Sequence, residues 1–249
     1  ERIPVFAFFS DSYPHVMSSM GKNMQDKLDS GNPLPQNTAF YKWDDERNCT
    51  ELWKQYYVMN WKNARFGNDN GQLEYCRAIE KAMVDFSEPI SCNLNNPELS
   101  LDGLGVEARG KEDVLVVRYR DGRKVPFDLL PQGYKRIFSI VFDIAHRGYL
   151  LQKTCNPYAV VFIDEVELHL HPSLAQEIVQ RFRRSFPNAQ LIISTHSPLV
   201  IADFKQDENN LLYSISVSDK GTEYEAVKNM YGMDYISVLR SVMETPERD

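Results

Sequence analysis

The stretch VVFIDE, residues Val160–Glu165, decides the fold that this sequence predicts. Four apolar residues end in two adjacent carboxylates, a pattern typical of a parallel strand that is buried on both faces and stops at a polar site. Burying two neighbouring carboxylates costs free energy unless a cation or hydrogen bonds compensate for the lost water. The alternative interpretation, that the acid pair only caps the strand, is therefore the less favourable one.

A helix and a second strand follow the acid pair. In Ser173–Phe186 apolar residues recur every four positions, which predicts a helix with one buried stripe. Residues Gln190–Ser194 form a second apolar run, and the order strand, helix, strand predicts two neighbouring parallel strands. The sequence THSP, Thr195–Pro198, then places His196 just after the second strand. Because open α/β sheets bind ligands at the carboxyl ends of their strands, the acid pair and His196 are predicted to share one crevice.

The composition is that of an ordinary globular protein of one large domain or two. The chain has 249 residues, 43% hydrophobic and 25% charged, and contains no apolar run of membrane-spanning length. Its four cysteines lie far apart without the spacing of metal ligands, which indicates reduced thiols and a cytoplasmic location. The net charge of -7 argues against a surface that coats nucleic acid uniformly, but it leaves room for a local basic groove.

The first third of the chain predicts a strand, a loop and two helices. Residues Ile3–Phe9 predict a buried strand that begins at the proline. Residues Ser10–Gln36 are polar and interrupted by Gly and Pro, which predicts a long loop or mobile insertion. The aromatic-rich stretch Phe40–Phe66 and the segment Gly71–Phe86 have helical spacing and together predict a small helical arm projecting from the sheet. Its aromatic rings either pack the two helices together or form a docking face for a partner.

The middle of the chain predicts a β-hairpin and then a helix with a candidate anion site at its start. The dipeptide Asp121–Gly122 lies between the apolar runs Val114–Tyr119 and Val125–Phe127, which is a strong hairpin signal. A periodic apolar segment then begins near Gly133. Backbone donors at a helix N-terminus, assisted by the basic residues that follow the glycine, form a natural anion site.

These motifs together resemble one family of ATPases. The hairpin, the helix start LPQGY (Leu130–Tyr134), the strand ending IDEVELHLHP (Ile163–Pro172) and the loop STHSP (Ser194–Pro198) are similar to the ABC-type AAA ATPases related to RecF, Rad50 and the OLD proteins. The resemblance covers residues 99–249 well and the earlier strand and arm more loosely. It implies an α/β fold, the ABC-ATPase-like P-loop fold in partial form, with a helical arm as an insertion.

The arm and the end of the chain carry a narrower resemblance. The closing segments YGMD, Tyr231–Asp234, and VMETPER, Val242–Arg248, are similar to the ATPases of Septu antiphage systems and of retrons that carry the same gene pair. The resemblance implies three parts: a strand of the ATPase core in residues 1–10, a loop and helical arm in 11–98, and an ATPase lobe in 99–249. That lobe is implied to contain the signature helix, the Walker B strand and the switch histidine.

The family also assigns roles to individual residues. By this resemblance Asp164 holds Mg²⁺, Glu165 is the catalytic base that orients the attacking water, and His196 is the switch residue that contacts the γ-phosphate of ATP. Further nucleotide contacts are implied for Gly133, Tyr134, Lys135, Arg136 and His171. The last of these lies in the segment that touches the nucleotide of the opposite protomer. ATP and Mg²⁺ are the implied cofactors.

Two departures from the family pattern affect these expectations. Pro131 and Gln132 stand where the family has Ser and Asp, so the hydroxyl that would touch a partner's γ-phosphate is absent. Turnover is then expected to be slow, or ATP to act as a structural ligand. The sequence also contains no Gly-x-x-x-x-Gly-Lys-Ser/Thr phosphate-binding loop. In this family that loop lies upstream of the first strand, so the chain is expected to lack its amino-terminal portion and to stop early at Asp249.

The resemblance leaves two classes of function open. In the first, two protomers arranged head to tail, or a higher oligomer, sandwich ATP and transmit closure to DNA or to a nuclease, for example an HNH-type protein, in an antiphage defence system. Reverse transcriptase and msDNA or other nucleic acid are further implied partners, and a membrane is not. A DNA-repair ATPase similar to RecF or SMC, which binds DNA, is an alternative. In the second class, the nucleotide stabilises a scaffold that keeps the nuclease inactive with little hydrolysis.

Other residue groups allow alternative interpretations. Glu167, His169 and His171 alternate at strand-like spacing and suggest zinc, but an extended run supplies no fourth ligand. His196 could instead be a core histidine with its hydrogen bonds satisfied. The arginines between 181 and 184 form either a solvated helix face or a patch that contacts phosphate. The acids that follow the His196 strand lack a strand-end context, so nuclease chemistry is assigned to a partner.

Overall fold

The computed structural model describes residues 3–14, 20–44, 50–66, 70–90, 100–110, 112–219, 221–228 and 230–243. The strands are β1 (Val5–Phe9), β2 (Leu101–Arg109), β3 (Glu112–Tyr119), β4 (Lys124–Pro126), β5 (Ala159–Ile163), β6 (Ala189–Ile193), β7 (Leu212–Ser218) and β8 (Gly221–Val227). The α-helices are α1 (Lys22–Asp29), α2 (Thr50–Phe66), α3 (Asn70–Ser87), α4 (Gln132–Gln152), α5 (Pro172–Ser185), α6 (Pro198–Ala202) and α7 (Tyr235–Ser241). Short 3-10 helices occupy Gln36–Phe40 and Phe127–Leu129. The end of the second closing motif, beyond Met243, and the cysteines Cys49 and Cys92 lie outside the described residues.

A three-stranded parallel sheet, in the order β1-β5-β6, supports the predicted site. Its register pairs Phe9 with Ile163 and Ile163 with Ile193, so the three strands end level with one another. Helix α5 connects β5 to β6 and buries Leu174 and Ile178 of the predicted apolar stripe. The predicted α/β fold class and the order strand, helix, strand are therefore confirmed.

One face of this sheet is covered and the other is open in the described part of the chain. Val161 and Ile163 lie in the core with residues of α4 and α5. Phe162, however, is 36% exposed and Ile192 is 44% exposed. The prediction that β5 is buried on both faces is therefore wrong at Phe162. An apolar run alone does not distinguish a strand covered on both faces from one that has helices on a single face.

Helix α4 forms the centre of the hydrophobic core, and α2 and α3 pack against it. Trp53 of α2 stacks on Phe142 with ring centroids 4.2 Å apart. The Tyr75 hydroxyl of α3 lies 2.9 Å from Nδ1 of the buried His146, and the Tyr56 and Tyr75 rings meet edge to face at 5.0 Å. The predicted packing of aromatic rings between helices is confirmed. The helices belong to one continuous core with the sheet, so they do not project from it as an arm.

Arg181 differs from both interpretations that the sequence offers for the arginines of α5, whereas Arg184 is exposed as the solvated-face interpretation expects. Arg181 is buried and donates to the Glu177 carboxylate at 2.7 Å. It also donates to the carbonyl groups of Phe86 and Ser87, at 3.1 and 2.9 Å. The last carbonyl groups of a helix have no partner inside it, so Arg181 fastens α5 to the end of α3. It is neither a solvated residue nor one available to phosphate.

The remaining elements extend or correct the sequence prediction. Strands β2, β3 and β4 form an antiparallel sheet whose β3–β4 turn has Gly122 at φ 89°, so the predicted hairpin is confirmed. Helix α1 lies where a loop is predicted, and it buries only Met24 and Leu28, too few residues for a periodic signal. The antiparallel β7–β8 pair is an element that the sequence does not predict. Within the described ranges, no helix has the length and apolar character needed to span a bilayer.

Candidate functional site

The carboxyl ends of the three parallel strands meet at one edge of the sheet. The N–H of Asp164 donates to the carbonyl of the last β1 residue at 2.8 Å, and the N–H of Ser194 donates to that of the last β5 residue at 3.0 Å. The N–H of Val166 then donates to the Ser194 carbonyl at 3.3 Å, so pairing continues beyond the strands. The acid pair and the loop that carries His196 therefore lie side by side, at the shared sheet edge that the strand order predicts.

The hydroxyl of Ser194 joins the two strand ends. It donates to Oδ1 of Asp164 and accepts from the N–H of Glu165 at 2.9 Å. Because a hydroxyl can both donate and accept, one side chain fixes a carboxylate on one residue and the backbone of the next. Ser194 is not among the predicted site residues. Its position directly after a buried strand, on the neighbour of the strand that ends in the acid pair, is the signal that could have identified it.

Glu165 has a backbone conformation that is uncommon for its residue type. Its φ of 43° lies in the left-handed region, which costs about 1–3 kcal/mol for an ordinary residue. Besides the bond from its N–H to Ser194, its carbonyl accepts from the N–H of Leu168 at 3.0 Å. Residues held in such conformations by their surroundings cluster at functional sites. The geometry therefore supports Glu165 as a candidate functional residue.

The carboxylate of Glu167 contacts the loop after β6. Its Oε2 accepts from Oγ1 of Thr195 at 2.7 Å, and its Oε1 accepts from the N–H of His196 at 2.8 Å. The stretch 166–170 forms turns, because two of its N–H groups donate to carbonyl groups three residues earlier. The extended run assumed by the zinc interpretation is therefore wrong. In the described part of the chain, no three His, Cys, Asp or Glu side chains are grouped to hold a metal ion.

Arg136 is fully buried and donates to backbone carbonyl groups. Its guanidinium donates to the carbonyl groups of Ser10 at 2.8 Å, Tyr13 at 2.5 Å and Asp164 at 2.5 Å. Burial lowers the pKa of Arg136 from its usual value. These bonds tie the segment after β1 to the end of β5. The placement favours a structural role for Arg136 over its predicted contact with nucleotide.

The start of α4 packs against the segment after β5. A Cβ atom at Gly133 would lie only 2.3 Å from the carbonyl oxygen of His169, so close an approach requires glycine. Lys135 forms an ion pair of 3.7 Å with Asp128. The Tyr134 ring stacks on that of Phe138, with ring centroids 6.4 Å apart. Gly133 thus serves close packing inside the chain. The predicted nucleotide contacts of these residues stay predictions.

His171 is exposed and begins α5. Its Nδ1 accepts from the N–H of Ser173 at 3.4 Å and lies 2.8 Å from the Ser173 hydroxyl. The first N–H groups of a helix have no partner inside it, and a side chain that accepts from one of them stabilises the helix. His171 therefore has a local role as a helix cap. Its predicted contact with the nucleotide of another protomer is a separate expectation.

The strand ends carry oxygen ligands of the kind that Mg²⁺ prefers. Oδ1 of Asp164 accepts from Ser194, while no hydrogen bond among the described residues engages Oδ2. In nucleotide sites Mg²⁺ is bound by one or two carboxylates together with phosphate oxygens and water. Asp164, with Glu165 beside it, fits this donor set.

One family model matches the part of the chain that contains this site. Residues 87–202 match AAA_21, described as "AAA domain, putative AbiEii toxin, Type IV TA system". The matched range includes the strands β5 and β6 and the helix α5 between them, together with Asp164, Glu165 and His196. The strand ends that carry the acid pair and the His196 loop therefore lie within the range that is similar to this AAA domain.

Several curated relatives are similar to the chain. The "Retron Vc95 probable ATPase" of Vibrio cholerae serotype O1 biovar El Tor is 34% identical over 139 residues, which are 54% of this chain and 26% of that protein. The "Retron Ec83 probable ATPase" of Escherichia coli is 37% identical over 123 residues, 48% of this chain and 22% of that protein. The "Septu protein PtuA" of Bacillus mycoides strain KBAB4 is 29% identical over 116 residues, which are 43% of this chain and 16% of that protein. The chain spans about a quarter or less of the length of these relatives.

Solved structures give a more distant likeness. The "SMC head domain from Thermotoga maritima" has a TM-score of 0.41 at 14% identity, over 68% of this chain and 52% of that chain. A chain described under "Structural biochemistry of ATP-driven dimerization and DNA stimulated activation of SMC ATPases" has a TM-score of 0.43 at 10% identity, over 70% of this chain and 94% of that chain. The family resemblance that the motifs predict is confirmed by the sequence comparisons: this chain is similar to an AAA domain model, to probable ATPases of retrons and to the Septu protein PtuA.

Proposed function

We propose that this chain is the ATPase part of a bacterial antiphage defence protein that binds ATP with Mg²⁺ and controls a partner nuclease. The names of the retron and Septu relatives support the biological setting. One observation carries the chemistry: the Asp164–Glu165 pair lies beside the His196 loop at one sheet edge. Ser194 and Glu167 hold the two segments together there.

In the proposed mechanism each site residue has one task. Asp164 would hold Mg²⁺, which when bound neutralises charge that develops on the phosphate oxygens. Glu165 orients the attacking water and accepts its proton, and His196 contacts the γ-phosphate. Phosphoryl transfer depends mainly on positioning and electrostatic stabilisation. The strand ends suit this task because hydrogen bonds fix both the carboxylate of Asp164 and the backbone of Glu165.

We propose that the nucleotide lies between two protomers arranged head to tail, and that a partner nuclease of the HNH type reads the closed state. The family resemblance supports this arrangement, with the start of α4 near Gly133 facing the partner's nucleotide. DNA or RNA bound by the complex is part of the same proposal. Addition of DNA to the full-length protein tests the nucleic-acid part of this proposal, because an ATPase that nucleic acid controls changes its rate of ATP turnover when DNA is added.

A second candidate function is a nucleotide-stabilised scaffold with little hydrolysis. Two observations favour it. Pro131 removes the hydroxyl that the family places at the start of the signature helix. The backbone at Gly133 is also closely packed against the His169 carbonyl of its own chain. In this case ATP would hold an inactive complex with the nuclease.

Hydrolysis by the full-length protein separates these functions. The wild type, Glu165→Gln and the control Glu208→Gln, an exposed acid before β7, are compared for ATP turnover, ATP binding and mass in solution. The ATPase reading predicts a turnover at least about 100-fold lower for Glu165→Gln, the size of a lost general base. It also predicts that this variant keeps ATP binding and forms an ATP-dependent dimer. Near-zero rates in both proteins, with ATP binding kept, favour the scaffold, and absence of ATP binding contradicts both functions.

A further inference from the structure

The side chain of Glu167 links the segment after β5 to the loop after β6. We propose that Glu167 is a positioning residue, which fixes the loop that carries His196 in its place beside Glu165. This inference rests on the proposed ATPase function. Its observation is the pair of hydrogen bonds from Thr195 Oγ1 and the His196 N–H, at 2.7 and 2.8 Å, to the two oxygens of one carboxylate. Hydrogen bonds to a charged acceptor are stronger than those between neutral groups.

Glu167 is itself firmly placed. The N–H of the preceding residue, Val166, donates to Ser194 at 3.3 Å, and Val166 is fully buried. The carbonyl of Glu167 accepts from the N–H of Leu170 at 2.9 Å, which closes a turn. The carboxylate therefore projects from an anchored stretch of backbone, two residues after the proposed base.

The loop that Glu167 contacts depends on this anchor. The Thr195 hydroxyl donates to Glu167 and accepts from the N–H of Ser197 at 3.0 Å. Ser197 precedes α6, and its own side chain makes no capping hydrogen bond. The His196 side chain is exposed. The carboxylate thus contacts the His196 backbone directly and the Ser197 backbone through the Thr195 hydroxyl, and His196 is the proposed γ-phosphate contact.

The ability of glutamine to keep the hydrogen bonds without the charge separates a positioning role for Glu167 from a role in catalysis. Each oxygen of Glu167 already accepts one hydrogen bond from the loop. A glutamine can reproduce both contacts, because its carbonyl oxygen accepts from the His196 N–H and its amide group donates to a rotated Thr195 hydroxyl. A positioning role therefore survives Glu167→Gln but not Glu167→Ala. A role that needs the negative charge survives neither.

The test uses ATP turnover by the full-length protein. For Glu167→Ala we expect kcat to fall about 100-fold, the effect of a misplacement near 1 Å, with the KM for ATP little changed. For Glu167→Gln we expect a loss below about tenfold, because both contacts are kept as neutral hydrogen bonds about half as strong as the charged ones. Thr195→Val removes one of the two hydrogen bonds to Glu167 from the side of the loop, and we expect it to give an intermediate loss of kcat. This variant keeps the test decisive if Glu167→Ala does not fold. Glu208→Gln is the charge-matched control and is expected to behave as wild type.

A second readout does not depend on hydrolysis. Amide hydrogen exchange at His196 is measured in the nucleotide-free protein, where exchange is expected to be faster in Glu167→Ala than in wild type and Glu167→Gln. A wild-type protein that neither binds nor hydrolyses ATP defeats the proposed function, while the exchange result still decides whether Glu167 holds the loop. Equal turnover losses in the Gln and Ala variants, or unchanged exchange at His196 in Glu167→Ala, overturn the inference.

Discussion

Replacing Gly133 by alanine tests the packing of α4 against the segment after β5. The new Cβ would lie 2.3 Å from the carbonyl oxygen of His169 and 2.9 Å from its carbonyl carbon, whereas real Cβ atoms essentially never come within 3.0 Å of such atoms. The segment must therefore move away by at least 0.7 Å, the difference between 3.0 and 2.3 Å. Both contacts are backbone atoms, so no change of rotamer relieves the clash.

The size of the effect follows from this displacement. Overpacking costs about 1–3 kcal/mol, and alanine returns about 0.5–1 kcal/mol through its helix propensity. We therefore expect the free energy of unfolding to fall by about 1 kcal/mol, within a range of about 0 to 2.5 kcal/mol. The segment that must move also carries Glu165, four residues before His169. Since a misplacement of about 1 Å can lower a rate about 100-fold, we expect ATP turnover to fall roughly 10- to 100-fold.

Gly148→Ala is the matched control. A Cβ at Gly148 would lie 2.8 Å from the carbonyl oxygen of Thr154 and 2.8 Å from the ring of Pro157. The residue is in the same helix, about 22 Å farther along its axis. Urea unfolding is expected to show a stability loss of similar size, while ATP turnover stays close to wild type. Wild-type turnover in Gly133→Ala, or an equal loss of turnover in Gly148→Ala, would refute the reasoning.

Three further changes probe other parts of the structure. Ser194→Ala removes the hydroxyl that orients the acid pair, and we expect about a 10- to 100-fold loss of Mg²⁺-dependent turnover, measured by steady-state kinetics. Arg136→Met leaves buried carbonyl groups unpaired, and urea unfolding is expected to show a loss of about 3 kcal/mol or more. Burial, with a smaller contribution from Arg147, lowers the pKa of His146 from 6.5 to about 3. Between these values only the unfolded chain binds the proton, so the free energy of unfolding falls by about 1.4 kcal/mol per unit as pH decreases below 6.5. Unfolding at pH 7, 6 and 5 is expected to show a smaller decrease for His146→Gln.

Each of these predictions has a contradicting result. Wild-type turnover in the Ser194 variant would show that its hydroxyl does not orient the acid pair. Unchanged stability in Arg136→Met would mean that other groups or water satisfy the carbonyl oxygens. Equal pH dependence in wild type and His146→Gln would show that the imidazole is protonated in the folded protein.

Local signals were sufficient for the part of the fold that supports the site. The apolar run that ends at Asp164, the spacing of four in α5 and the next apolar run define a parallel strand pair, since connection rules leave few alternatives. The strand order then places the acid pair and His196 at one edge. The Asp121–Gly122 turn was recognisable because few dipeptides adopt its backbone conformation readily.

Contacts between distant segments could not be predicted. Arg136 follows a glycine at a helix start, which is typical of an anion site, yet its donors are used by carbonyl groups of two other segments. Gly133 is required by a backbone that arrives 36 residues later in the chain, at His169. Likewise, the alternation of Glu167 with His169 and His171 suggested metal ligands. In the fold the Glu167 carboxylate accepts from Thr195 and His196 instead, and a single sequence does not show which donors a carboxylate will meet.

The most direct test of the central claim is a structure of the full-length protein with Mg²⁺ and a non-hydrolysable ATP analogue. We predict Mg²⁺ at about 2.0–2.1 Å from an oxygen of Asp164 or from a water bound to it. We also predict that the γ-phosphate lies between Glu165 and His196. A nucleotide bound at another edge of the sheet, with these three side chains away from its phosphates, would contradict the account.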